Sequence, residues 1–182
     1  MASRMHELPF HIIDAGSLTT TRLNVLVKRY ARRFAARGSK LELVVIDYLQ
    51  LMRPGIKTAS RYEAISEVSQ SLKAIAKDHN VAVLALAQLS REVEKRPDKR
   101  PTLADLRDSG QIEQDADAVM FLMRDEYYLE QSKPSELSPK FSEWEQDMQE
   151  ARNRIEFIVA KRRNGRTGIG IGEFHGAYQA VR

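Results

Sequence analysis

Leu43-Val44-Val45-Ile46-Asp47-Tyr48-Leu49-Gln50-Leu51-Met52 takes four apolar residues, three of them β-branched, straight into a carboxylate. Such a run reads as a fully buried strand of a parallel sheet, delivering one acid to the sheet's edge. In open α/β sheets, ligands sit beyond the carboxyl ends of the strands. Asp47 stands where such a site holds a Mg²⁺ or water ligand. It can equally be a plain strand-end cap, and the stretch alone leaves both readings open.

On the N-terminal side, Phe10-His11-Ile12-Ile13 reads as a short strand closed by Asp14-Ala15-Gly16. Thr19 or Thr20 can cap a helix in which Leu23, Leu26, Val27, Tyr30 and Phe34 repeat at helical spacing, and Gly38 stops it. Seven basic residues and no acid lie between Ala15 and Lys40. They fall off the apolar stripe, as a solvated face does.

On the C-terminal side, Ser60-Arg61-Tyr62-Glu63 is a capping box. It opens an amphipathic helix with Tyr62, Ile65, Val68, Leu72, Ile75 and His79 on one side, and Asn80 suits its left-handed end. Val81 to Ala87 is a second buried strand, so the three elements make a βαβ unit. No element is clear from Gln88 to about Leu106, a stretch dense in charge. A loop of that length in a compact domain is usually functional or disordered. Ala118 to Met123 reads as a third buried strand. A loop holding Pro134 and Pro139 follows, then a helix from Ser142 to about Arg152, with Trp144 and Met148 as anchors. Ile155 to Ala160 is a fourth strand, Asn164-Gly165 a hairpin turn, and Ile169 to Phe174 the return.

Bulk composition narrows the class. The chain has 182 residues, 42% hydrophobic and 30% charged, which suits a globular domain with a real core. Cysteine is absent, which removes disulfides and thiolate metal sites, and four scattered His argue against a zinc site. No secretory h-region or run of membrane-spanning length is present, so the expected location is cytoplasmic, with no membrane partner. A net charge of +4 permits a nucleic-acid partner without establishing one.

Three strands thus run into chemistry: Asp47, then Gln88, then Lys161-Arg162-Arg163 beside a turn. A carboxylate for Mg²⁺, an amide that senses a phosphate and fixed cations are what hydrolysis of a nucleoside triphosphate requires.

Ile46-Asp47-Tyr48-Leu49-Gln50-Leu51-Met52 resembles the Walker B segment of the DnaB-type replicative DNA helicases, in their C-terminal RecA-like motor domain. Gln88-Leu89-Ser90-Arg91 with Glu94 to Pro101 resembles the family's third motif. Asp105 to Asp117 resembles its fourth, and Lys161-Arg162-Arg163-Asn164-Gly165 its finger-bearing hairpin. The likeness runs from about Phe10 to the C-terminus, apart from an acidic insertion at about 125–153.

The resemblance implies a RecA-like P-loop NTPase core: a mostly parallel sheet flanked by helices, with a C-terminal β-hairpin. It implies one partial motor domain over residues 1–182. The implied function is ATP-dependent 5′–3′ DNA unwinding in a homo-hexameric ring, with ATP and Mg²⁺ as cofactors. The implied partners are single-stranded DNA and, in the family, primase and a helicase loader. Asp47 then resembles the acid that organises Mg²⁺ through water, and Gln88 the switch between nucleotide state and DNA loops. Lys161 and Arg163 resemble the finger that reaches a neighbour's γ-phosphate. Arg107, Asp108 and Gly110 fall where the family touches the single-strand backbone, although Asp108 replaces the family's usual Glu. Asp115 and Asp117 read as loop and cap residues.

The phosphate-cradling pattern G-x-x-x-x-G-K-[ST] occurs nowhere in the chain. Gly165-Arg166-Thr167 imitates its end but lacks the Lys and sits in a hairpin. The reading is therefore of a motor domain without its N-terminal part and catalytic Glu, with no ATPase of its own and with an exposed sheet edge. The alternatives are a non-catalytic DNA-binding or hexamer-interfering remnant of such a helicase, and a RecA-like recombinase ATPase.

Overall fold

The computed structural model describes residues 8–106 and 110–182. They form two compact units, Met1–Ser90 with Leu106–Ala116, and Arg91–Asp105 with Asp117–Arg182.

The first unit is built on the βαβ element. Strand β1 (Leu43–Ile46) pairs in parallel with β2 (Ala82–Ala85), Leu43 opposite Ala82 and Ile46 opposite Ala85. Helix α1 (Thr20–Ala35) precedes β1, and α2 (Arg61–Asp78) connects the two strands. Both helices start as their sequences dictate. The Thr19 hydroxyl accepts from the Arg22 amide at 3.2 Å, and the Ser60 hydroxyl from the Glu63 amide at 3.1 Å. The Glu63 carboxylate accepts in return from the Ala59 amide at 2.8 Å, one residue earlier than an ideal capping box. Asn80 ends α2 at φ 50°, and Gly38 follows α1 at φ 72°.

The core joins Leu23 and Val27 of α1 to Ile65, Val68, Leu72 and Ile75 of α2, with Val44, Ile46, Val83 and Ala85 packed on them. Glu67 ties the edges together. Its carboxylate accepts from the hydroxyls of Thr20 (3.1 Å) and Ser71 (2.8 Å) and from the Gly55 amide (3.2 Å). A Cβ at Gly55 would come within 2.5 Å of the Thr21 hydroxyl, so this approach requires glycine.

Burial corrects the sequence reading here. β1 and β2 are covered on one face only: Leu43 (51%), Val45 (54%) and Leu84 (49%) are exposed. Leu, Val and Ile suit either a one-sided or a two-sided strand, so an unbroken apolar run does not say how many faces are covered. Phe10–Ile13 is not a strand. It carries no ladder pairing, and Phe10, Ile12 and Ile13 are exposed, which leaves water to bond the backbone groups there.

The second unit is an antiparallel sheet in the order β3 (Ala118–Met123), β4 (Arg154–Arg162), β5 (Gly168–His175), β6 (Ala180–Val181). Val119, Phe121 and Met123 are buried while Met120 and Leu122 are exposed. The expectation of a mostly parallel sheet is corrected: of the strand-to-strand ladders among the described residues, β1–β2 is parallel and the other three are antiparallel. An apolar run carries no mark of the direction of its partner. β3 reaches β4 through a helical hairpin, α4 (Asp125–Gln131) and α5 (Phe141–Ala151), after the short α3 (Gly110–Asp115) of the first unit. The Trp144 indole N–H donates to the Leu129 carbonyl at 2.8 Å, so Trp144 anchors α5 on α4, a helix missed in the sequence. The β4–β5 hairpin forms as expected, but residues 163–167 connect it and Gly165 has no positive φ. It is therefore a longer loop rather than a two-residue Asn-Gly turn.

Candidate functional site

Asp47 lies one residue past β1, and Gln88 three residues past β2. The parallel register places both at the carboxyl-end edge of the small sheet. The chain beyond each strand is fixed by hydrogen bonds. The Leu86 amide donates to the Ile46 carbonyl (2.9 Å), and the Leu49 amide to the Leu86 carbonyl (2.8 Å). Gln50 then brackets the backbone of Gln88. Its amide N–H donates to the Gln88 carbonyl (3.2 Å), and its carbonyl accepts from the Gln88 amide (3.1 Å). Two bonds from one planar amide fix the main chain of Gln88 and leave its side chain available. The Asp47–Tyr48 peptide bond is cis.

The Asp47 carboxylate makes no side-chain hydrogen bond or ion pair among the described residues. A hard oxygen donor at a strand end, with its lone pairs uncommitted, suits water-mediated Mg²⁺. Gly110 begins α3, where a Cβ would meet only the Tyr62 hydroxyl at 3.9 Å, so packing does not demand glycine there. Arg107 and Asp108 lie outside the described residues. Asp115 is structural, accepting from Ser69 (2.8 Å) and Gln111 (2.9 Å).

In the second unit, Lys161 is half-buried within β4, paired with Val119, and Arg163 is the first residue after the strand. Arg163 is held at both ends. Its amide donates to the Asp117 carbonyl (2.7 Å), and its guanidinium pairs with the Asp117 carboxylate (3.1 Å). Asp117, a loop residue in the sequence reading, thus fixes both the backbone and the side chain of Arg163.

The loop between Gln88 and the fourth motif is anchored by two carboxylates. Burial raises the Asp105 pKa, but the Thr102 amide (2.8 Å), the Arg96 guanidinium (2.7 Å) and the Thr102 hydroxyl (3.0 Å) outweigh it and leave the pKa below the ordinary value. Glu156 of β4, 3% exposed, receives Arg100 (2.9 Å) and Arg154 (3.1 Å) on one oxygen. An acid inside Ile155-Glu156-Phe157-Ile158 was the signal for it.

A carboxylate whose pKa falls on folding adds stability above its unfolded pKa and loses it as pH drops through the folded value. The second unit should therefore weaken below about pH 4. In urea unfolding followed against pH, Asp105→Asn should flatten that acid limb. An unchanged limb would mean that Asp105 contributes nothing there.

The profile of the family described as "DnaB-like helicase C terminal domain" matches residues 1–181. The chain belongs to that family. Replicative DNA helicase DnaB of Rickettsia bellii is 45% identical over 171 residues, covering 92% of this chain and 33% of the relative. DnaB of Geobacillus stearothermophilus is 48% identical over 159 residues, 87% of this chain and 30% of the relative. This DnaB-like segment thus spans about a third of the length of those curated relatives. A solved DnaB-like replicative helicase, studied for its interactions with primase, superposes with a TM-score of 0.81 at 37% identity, covering 99% of this chain and 39% of that one. A second solved structure, described as an ATPase domain, gives 0.77 at 37% identity, over 94% of this chain and 53% of that one. These superpositions give the chain a DnaB-like α/β fold, with a parallel βαβ element and an antiparallel sheet among the described residues.

Proposed function

We propose that this segment supplies the metal-organising, switching and finger side of an ATP-driven replicative DNA helicase with a RecA-like P-loop core. In that reading residues 1–182 are one part of a single motor domain. The observation that carries the reading is the edge where Asp47 and Gln88 emerge from neighbouring parallel strands, with Gln50 fixing the second. Asp47 would hold Mg²⁺, and the metal would supply charge neutralisation to the transferring phosphoryl group. Gln88 offers an amide that responds to the γ-phosphate. Lys161 and Arg163 act on the nucleotide of the next subunit of a homo-hexamer. Arg107, Asp108 and Gly110 contact single-stranded DNA, and translocation runs 5′–3′ in the cytoplasm with primase and a loader as partners. The names of the relatives favour the helicase over a recombinase.

The test is a chimera in which this chain replaces the matching segment of the Geobacillus stearothermophilus relative. It should hydrolyse ATP when given Mg²⁺ and single-stranded DNA, and Asp47→Ala should slow turnover about 10²-fold or more. Full turnover by the Asp47→Ala chimera would sink the metal role.

The DNA role can be checked on the 182 residues alone. Arg107→Ala should weaken single-strand binding about fivefold and make the salt slope shallower by roughly 0.7, the value for one lost phosphate contact. An unchanged slope would remove Arg107 from the backbone contact, and no binding by either protein would remove the loop.

A further inference from the structure

Seven cations and no acid lie in residues 15–40, and four of the seven share one face of α1. Val25, Lys28, Arg29, Arg32, Arg33 and Ala36 follow at i, i+3, i+4, i+7, i+8 and i+11, so they line one groove along the helix. Val25 is 63% exposed, while Leu23, Leu26 and Val27 of the core stripe are buried. None of the four cations has an ion-pair partner among the described residues.

A face that meets only water does not need this arrangement. Lys28 and Arg32, Arg29 and Arg33, and Arg33 and Arg37 stand four residues apart, and like charges at that spacing weaken a helix. Solvated faces usually intersperse both signs. The helix thus carries a repulsion that an anionic partner relieves. Two of the arginines are also held in place. The Arg29 and Arg33 guanidiniums lie 5.4 and 5.2 Å from the centre of the Tyr30 ring, which the His11 ring also contacts. Cations fixed in this way lose less freedom when a ligand arrives.

The Thr20 amide donates to the Arg53 carbonyl at 3.1 Å, so α1 starts beyond the carboxyl end of β1. Arg33 lies about 20 Å further along the helix axis, where the chain turns back to enter β1. The basic face therefore leads away from the edge that carries Asp47 and Gln88.

We propose that this face of α1 binds single-stranded DNA, as a second contact apart from Arg107, Asp108 and Gly110. Lys28 and Arg32 meet the phosphate backbone. The guanidinium planes of Arg29 and Arg33 offer unpaired bases a surface to stack on, which neither a duplex nor an acidic protein would use. Val25 and Ala36 are too little apolar surface to enter a bilayer. This contact adds to the DNA role proposed above and rests on it for the choice of ligand.

Fluorescence polarisation of a labelled oligothymidylate titrated with the 182-residue chain should show binding that weakens as salt rises from about 50 mM to about 500 mM. Arg32→Gln with Arg33→Gln should weaken it about tenfold or more and make the salt slope shallower by roughly 1.4, the value for two lost phosphate contacts on a single strand. Lys28→Gln with Arg32→Gln, on the same face, should do the same. Lys133→Gln with Lys140→Gln removes as much charge from the loop between α4 and α5 and should leave affinity and slope unchanged. Circular dichroism establishes that each variant is folded. Arg107→Ala separates the two contacts. A loss in Arg107→Ala with none in the helix variants overturns the inference and leaves the Arg107 contact standing, and the opposite result removes the Arg107 contact and leaves the helix site. The inference is also overturned if the lysine variant loses as much as the helix variants, or if a duplex of the same length binds more tightly. It fails too if poly-L-glutamate displaces the oligonucleotide as well as unlabelled oligonucleotide does at equal charge, or if the parent binds no DNA.

Discussion

Arg163→Ala should slow DNA-stimulated ATP hydrolysis of the assembled chimera by about 10³ to 10⁵, the range for loss of an arginine finger supplied by a neighbour. The effect follows from position and chemistry. Arg163 is the first residue after β4, and its amide and guanidinium are both held by Asp117, so its position is fixed. A fixed planar cation stabilises charge on a transferring phosphoryl group without reorganising at the moment of reaction. Arg163→Lys should recover only part of the rate, because a point charge lacks the planar fork. Asp117→Ala provides the control. It removes the carboxylate 3.1 Å from Arg163 but leaves the cation, so its loss of rate should be far smaller than that of Arg163→Ala. Equal losses would show that Arg163 acts through folding of the hairpin. Turnover unaffected by Arg163→Ala would remove the finger role.

Glu156→Ala should cost the second unit about 3 kcal/mol in urea unfolding. The carboxylate is 3% exposed and accepts two guanidiniums, so removing it leaves Arg100 and Arg154 side by side without their shared counter-charge. Breaking a buried pair costs about 3–5 kcal/mol. The lower end applies because both arginines keep about 40% of their side chains in water, and Arg100 also reaches Asp125 at 3.5 Å. Glu156→Gln should cost less, since its amide oxygen can still accept while the second carboxylate oxygen has no partner to lose. A loss under about 1 kcal/mol for Glu156→Ala would place the anchoring of the charged loop elsewhere.

Local signals were legible because local chemistry decides them. The caps at Thr19 and Ser60, the left-handed Asn80, the βαβ pairing and the β4–β5 hairpin all depend on residues within a few positions of one another or on strong periodicity. The helix over Asp125–Gln131 was not legible, because its short acidic sequence has no long apolar stripe. Gln50 stood inside the most informative stretch, yet its role was invisible. Its partner is 38 residues away and is a backbone group, which has no residue identity to read. Glu156 could be flagged as an acid in an apolar strand, but which arginines would meet it could not.

The sequence alone determined the family, through the order and spacing of motifs from Ile46 to Gly165, and it determined which strand ends carry an acid, an amide and a cation. Only the tertiary structure decided strand direction in the second sheet, the single covered face of β1 and β2, and the bonds that hold Gln88 and Arg163. The physical reason is one asymmetry. Side-chain pattern states that a residue prefers burial or water, whereas direction, register and backbone bonding depend on which distant segment arrives beside it.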